Sequence, residues 1–148
     1  MAGRITPMIH VPNVRETAAW YESLGFALIG WHACDADGVQ AGPLPSGVTL
    51  DWALLRWGAD GVMLSSGGTK SGASRREFDL YIDLDPQSVE EGVDALFARL
   101  EGRFDIVEAP HDTFHGNREL IIRDINGFWL TFAEPADLSR RNVPGAAV

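Results

Sequence analysis

The sequence predicts an α+β fold made of two copies of a βαβββ module. Two hairpin signals and the joint between them carry this reading. In GNRELIIRDINGFWLTFAE (116–134), Leu120, Ile121 and Ile122 precede Asn126-Gly127, and Phe128, Trp129, Leu130 and Phe132 follow it. An Asn-Gly pair tolerates the positive φ that a two-residue hairpin turn demands. LDWALLRWGADGVMLSS (50–66) repeats the device around Asp60-Gly61. Between the two lies GGTKSGASRR (67–76), small and polar as a linker is. The expected layout is a first module over 1–66, the linker over 67–76, a second module over 77–135 and a weakly packed tail over 136–148.

Each element has its own warrant. Ile5 to Val11 is a first strand, with Pro7 near its start, where a missing N–H is tolerable. Asn13 is placed to cap a helix over Val14 to Leu24, whose Val14, Ala18, Tyr21 and Leu24 share a face, and Gly25 stops it. Phe26 to Ala33 is a second strand. Asp35 to Val48, rich in Gly and Pro, is a loop suited to bordering a ligand. The second module opens with a strand over Phe78 to Asp85. A helix from Val89 to Leu100 follows, capped by Ser88 with Glu90 and Glu91 in its first turn, and carrying an apolar stripe of Val89, Val93, Leu96, Phe97 and Leu100. Phe104 to Ala109 is a strand and Pro110 to His115 a loop before the last hairpin. A half of this kind is too small to be stable alone. Two such halves, paired within one chain or across two, are expected to form curled, half-open mixed sheets around a central cavity.

Composition narrows the function. The chain of 148 residues is 45% hydrophobic and 22% charged, with a formal net charge of -9. Nucleic-acid binding needs a basic face, so nucleic acid is excluded as a partner. The charge permits a cationic ligand. One cysteine, Cys34, forms no internal disulfide; a reducing cytoplasm and a packing role for the thiol are expected. The N-terminus shows no long apolar run, so neither signal peptide nor membrane span is expected.

The opening TPMIHVPNVRETAAWYESLGFALIG, with its Trp20-Tyr21 and Leu24-Gly25-Phe26, resembles the start of the vicinal oxygen chelate superfamily. FHGNRELIIRDINGFWLTFAE resembles its closing segment, where an aromatic-Gly pair, an Arg-Glu strand and an Asp-x-Asn-Gly turn recur. That superfamily contains glyoxalase I, extradiol dioxygenases and bleomycin-resistance proteins. The resemblance spans Ile5 to about Glu134 and implies two paired βαβββ modules. It also implies a divalent metal held by His, Gln or Glu on several strands. Those ligands would fall at Thr6, near Met63 or Leu64, near Asp79 and at Thr131. Three of these four places hold no good donor, because a hard or borderline cation wants carboxylate or imidazole. The resemblance is therefore closest to the metal-free, bleomycin-resistance-like members, with no cofactor expected.

Candidate site residues follow from side-chain chemistry. Trp31, Trp52 and Phe114 are candidates to line a concave face and stack on a planar or cationic ligand. His10 near a strand end, and Arg118 with Glu119 at the start of the long strand, are candidate polar hooks. His111, His115 and Glu119 are spaced four apart, but Pro110 and Gly116 place them on loop and strand rather than helix. The expected protein binds a small molecule without metal, as a cytoplasmic homodimer of the antibiotic-resistance type, and is not an enzyme. The competing expectation is a metal-dependent lyase or dioxygenase using His10, His111, His115 and Glu119.

Overall fold

A computed structural model describes residues 3–71, 78–84 and 92–136. The chain divides into two compact units, Met1–Ser71 and Gly72–Val148. Unit 1 runs β1 (Met8–Val11), α1 (Val14–Leu24), β2 (Ala27–Ala33), β3 (Leu50–Trp57) and β4 (Asp60–Ser66). Unit 2 runs β5 (Asp79–Asp83), α2 (Val93–Leu100), β6 (Asp105–Asp112), β7 (Asn117–Arg123) and β8 (Trp129–Pro135). The strand orders are β1-β4-β3-β2 and β5-β8-β7-β6. In each sheet the first strand lies parallel to the last, and the other pairs are antiparallel. The two units therefore share one βαβββ topology, and the α+β fold is as expected.

Local chemistry fixes α1 at both ends. Asn13 has extended backbone, and its Oδ1 accepts from the Glu16 N–H at 2.9 Å. At the other end Gly25 takes φ +129. Its N–H donates to Glu22 O, while the Phe26 N–H donates to Tyr21 O at 3.0 Å. This is a Schellman closure, completed by the Phe26 ring standing edge-on to Tyr21 at 5.1 Å. Val14, Thr17, Ala18, Tyr21 and Leu24 are buried on one face of α1, which packs on β3 and β4. Ile9, Val11, Ala53, Leu55, Val62 and Leu64 meet it from the sheet. In unit 2, Val93, Leu96 and Leu100 of α2 pack with buried Leu120, Ile122, Leu130 and Phe132 of the sheet. Each sheet thus has one face covered by its helix and one face turned away from it.

Several expectations need correction. The first turn is Gly58-Ala59 rather than Asp60-Gly61, because Gly58 takes φ +61 and Asp60 already pairs with Trp57. A lone Gly at the first central position suits a type II′ turn. The last hairpin closes through residues 124–128 rather than through two residues. Asp124 Oδ1 accepts from the N–H groups of Asn126 and Phe128, at 2.8 and 2.9 Å, and only Gly127 takes positive φ. β1 begins at Met8 rather than Ile5. β6 continues through Pro110 and His111 to Asp112, where a loop was expected. β6 is an edge strand with a register shift between Glu108 and His111, so Pro110 deprives no ladder partner. Cys34 is exposed, not packed. The expected start of the second helix, its Ser88 cap, the last residue of the strand before it, linker positions 72–76 and tail positions 137–148 lie outside the described residues.

Candidate functional site

Period-two alternation decides which side chains leave the helix-covered face of each sheet. In unit 2, Leu120 and Ile122 point toward α2, so their neighbours Glu119 and Ile121 point away from it. Register carries that open face across the sheet. Glu119 lies opposite His111 on β6 and Ala133 on β8, and Ile121 lies opposite Thr131, which lies opposite Tyr81 on β5.

The focus of this face is Glu119, 8% exposed. Tyr81 Oη donates to Glu119 Oε2 at 2.6 Å, and Asn117 Nδ2 donates to Tyr81 Oη at 2.8 Å. His115 Nε2 stands 3.5 Å from the same carboxylate oxygen. Thr113 Oγ1 lies 3.2 Å from His115 Nδ1. No hydrogen bond from a described residue reaches Glu119 Oε1. Burial first, then the bond to Glu119, push the Tyr81 phenol above its ordinary pKa, so it stays a donor. Next to this group Phe114, 98% exposed, sets its ring edge-on to His115 at 5.0 Å. The arrangement offers a carboxylate oxygen and an aromatic ring, a pairing that suits a cation carrying N–H donors.

Arg118 does different work. It points to the opposite face and grips α2 through two bonds of 2.9 Å to Asp94, with a third of 3.0 Å to Asp112 on β6. These carboxylates hold its pKa above the ordinary arginine value. His111 Nε2 pairs with Glu108 at 3.2 Å and its Nδ1 lies 2.9 Å from Ala109 O.

In unit 1 the open face carries the cross-sheet row His32, Trp52, Ser65 and His10, followed by Gly30, Leu54, Met63 and Met8. Trp52 is half-buried, and its ring lies over Gly30. Trp31 pairs with Ala53, so it faces the other way. It is 7% exposed, and its indole N–H donates to Gly42 O at 3.1 Å. The loop after β2 is strapped along that strand by paired backbone bonds between Trp31 and Gln40. His10 is exposed, with Nδ1 3.3 Å from Ser66 O. At the bulge opposite His32/Ala33, His32 Nδ1 meets Asp51 Oδ1 at 2.6 Å and Nε2 meets Ala36 O at 2.9 Å. The bond to Asp51 raises the His32 pKa.

The positions at which the resemblance puts metal ligands do not suit a metal. Thr6 is exposed ahead of β1, Met63 offers a thioether on the open face, and Leu64 is buried under α1. Thr131 offers a hydroxyl beside Tyr81 and Ile121, and Asp79 is the one carboxylate of the set. Among the described residues no three His, Cys, Asp or Glu side chains form a group that could hold a metal ion. Sequence reasoning missed Tyr81 and Asn117. The signal was present in Asp79-Leu80-Tyr81-Ile82-Asp83, whose alternation puts Tyr81 on the polar face.

No protein-family model and no curated protein matches the sequence. Solved structures do match its fold. A glyoxalase/bleomycin resistance protein/dioxygenase from Alicyclobacillus acidocaldarius aligns at TM-score 0.63 and 15% identity, over 91% of this chain and 92% of that one. Protein PA1353 from Pseudomonas aeruginosa aligns at TM-score 0.63 and 18% identity, over 92% of this chain and 100% of that one. The bleomycin resistance determinant encoded on transposon Tn5 aligns at TM-score 0.60 and 17% identity, over 92% of this chain and 100% of that one. The chain therefore shares the fold of a glyoxalase/bleomycin resistance protein/dioxygenase and of a bleomycin resistance determinant. Among the described residues no helix is long and apolar enough to cross a membrane.

Proposed function

We propose that the protein is a metal-independent small-molecule binder of the glyoxalase/bleomycin-resistance type, sequestering a planar or cationic ligand, and that it works as a cytoplasmic homodimer. The observation that carries this reading is Glu119. Its carboxylate is buried on the face turned away from α2 and is held in place by Tyr81, and among the described residues no hydrogen bond reaches its Oε1. A buried charge is costly unless paired, so a cation that donates to Oε1 gains more there than at an exposed carboxylate. Phe114 and Trp52 add aromatic surface to the open faces of their own units. The acidic balance of the chain favours the approach of cations.

Isothermal titration tests the proposal with cationic glycopeptide antibiotics and planar aromatic cations. Saturable heat is expected with at least one of them, weakened about tenfold by Glu119→Gln, which is about 1.4 kcal/mol. Flat traces throughout would remove the resistance-type reading.

A further inference from the structure

We propose that unit 1 carries a small-oxyanion site in the recess between the segment before β1 and the β3–β4 hairpin. The recess encloses about 110 Å³ and is lined by Arg4, Thr6, Leu54, Arg56, Asp60 and Gly61, together with neighbouring backbone. Two of the chain's 12 basic side chains meet here, in a protein with 21 acidic ones.

The two guanidinium groups are not spent on each other's surroundings. Arg4 Nη1 donates to Ala59 O, which ties the segment before β1 to the hairpin and leaves the remaining N–H groups of Arg4 to other acceptors. The guanidinium of Arg56 makes no hydrogen bond or ion pair with any described residue. Asp60 shares the recess without forming an ion pair to either arginine, so the charge there stays positive by one. An arginine fork matches a carboxylate or phosphoryl group with two parallel N–H bonds, and a second arginine adds donors from another side.

The floor of the recess is built by absence. Gly61 sits inside β4, with Arg56 as its partner on β3. A Cβ at Gly61 would lie 2.9 Å from Leu55 O, 3.4 Å from Leu54 Cδ1 and 3.6 Å from Arg56 Cγ. The glycine therefore lets the stems of Leu54 and Arg56 settle over the strand and keeps the space above it open. The turn itself is supplied by Gly58, so Gly61 is not needed for chain reversal. The ligand is a small oxyanion, either a carboxylate or a phosphoryl group. This site is independent of Glu119 and of the cation-binding proposal.

The test is an NMR titration of the full chain with inorganic phosphate and, separately, with acetate, at ionic strength held constant with sodium chloride. Saturable shifts of the Thr6, Ala59 and Gly61 amides are expected, with a Kd of about 1 mM or tighter for at least one anion. Arg56→Gln should weaken that binding at least about tenfold, Arg56→Lys should fall between, and Arg103→Gln should match the parent. Response to phosphate alone would assign a phosphoryl ligand; response to acetate as well would assign carboxylates. Non-saturating shifts with both anions, or equal binding by parent and Arg56→Gln, would overturn the proposal.

Discussion

Tyr81 and Glu119, 38 residues apart in sequence, share a 2.6 Å hydrogen bond on the open face of unit 2. The bond joins edge strand β5 to β7, two strands away, across the top of β8. It fixes the carboxylate without neutralising it. Removing the donor in Tyr81→Phe should destabilise the protein by about 1 kcal/mol in urea unfolding, the net worth of a part-exposed bond. The Tyr81 pKa is raised, so the folded state holds the phenolic proton more tightly than the unfolded chain does. The bond's contribution is complete below about pH 10 and declines as pH rises through the folded value. Glu119→Gln should bring the Tyr81 transition in an ultraviolet titration back down toward 10.

His32 has an oxygen acceptor at each ring nitrogen, Asp51 at one and the Ala36 carbonyl at the other. A carbonyl only accepts, so both nitrogens donate when the ring is an imidazolium. The raised pKa means this stabilisation is complete below about 6.5 and is lost as pH rises through the folded value. Imidazole NMR titration should place His32 above 6.5 in the parent protein and lower in Asp51→Asn. The gap in thermal midpoint between the two proteins should narrow as pH increases.

Arg118 fastens α2 to β6 and β7. Arg118→Ala should cost about 1 kcal/mol, since the partners are largely exposed but the Asp94 grip is two-pronged. Arg118→Lys should recover only part of it, because an ammonium cannot reproduce the fork. Chemical denaturation of the three proteins checks the order. Ligand binding should be unchanged in both variants if Arg118 only holds the scaffold.

Gly25 occupies φ +129, where a side chain is strained. Gly25→Ala should destabilise by about 1–2 kcal/mol, read from the urea midpoint at unchanged slope.

The fold was legible because each module repeats a local grammar. The α1 boundaries follow from Asn13 and Gly25, whose caps depend on adjacent residues alone. The hairpin turns were less legible: Asp60-Gly61 and Gly58-Ala59 lie two residues apart, and strand register chose between them. Pro110 suggested a loop because edge position and bulging are tertiary facts. The candidate site was half visible. Glu119 and Arg118 were singled out together, yet alternation sends them to opposite faces, one to the open face of the sheet beside Tyr81 and one toward α2. Tyr81 was missed because its meaning comes from Glu119, a partner far away in the chain. Trp31 and Trp52 look alike in sequence, and only register separates the covered ring from the half-buried one.

The central claim is that Glu119, without a metal, provides the grip on a cation. The direct measurement is calorimetric titration of a planar aromatic cation into protein treated with a chelator, into untreated protein and into Glu119→Gln. Equal affinity for the first two and about tenfold weaker binding by the third is the predicted result. Binding that vanishes on chelation and returns with an added divalent metal would contradict it.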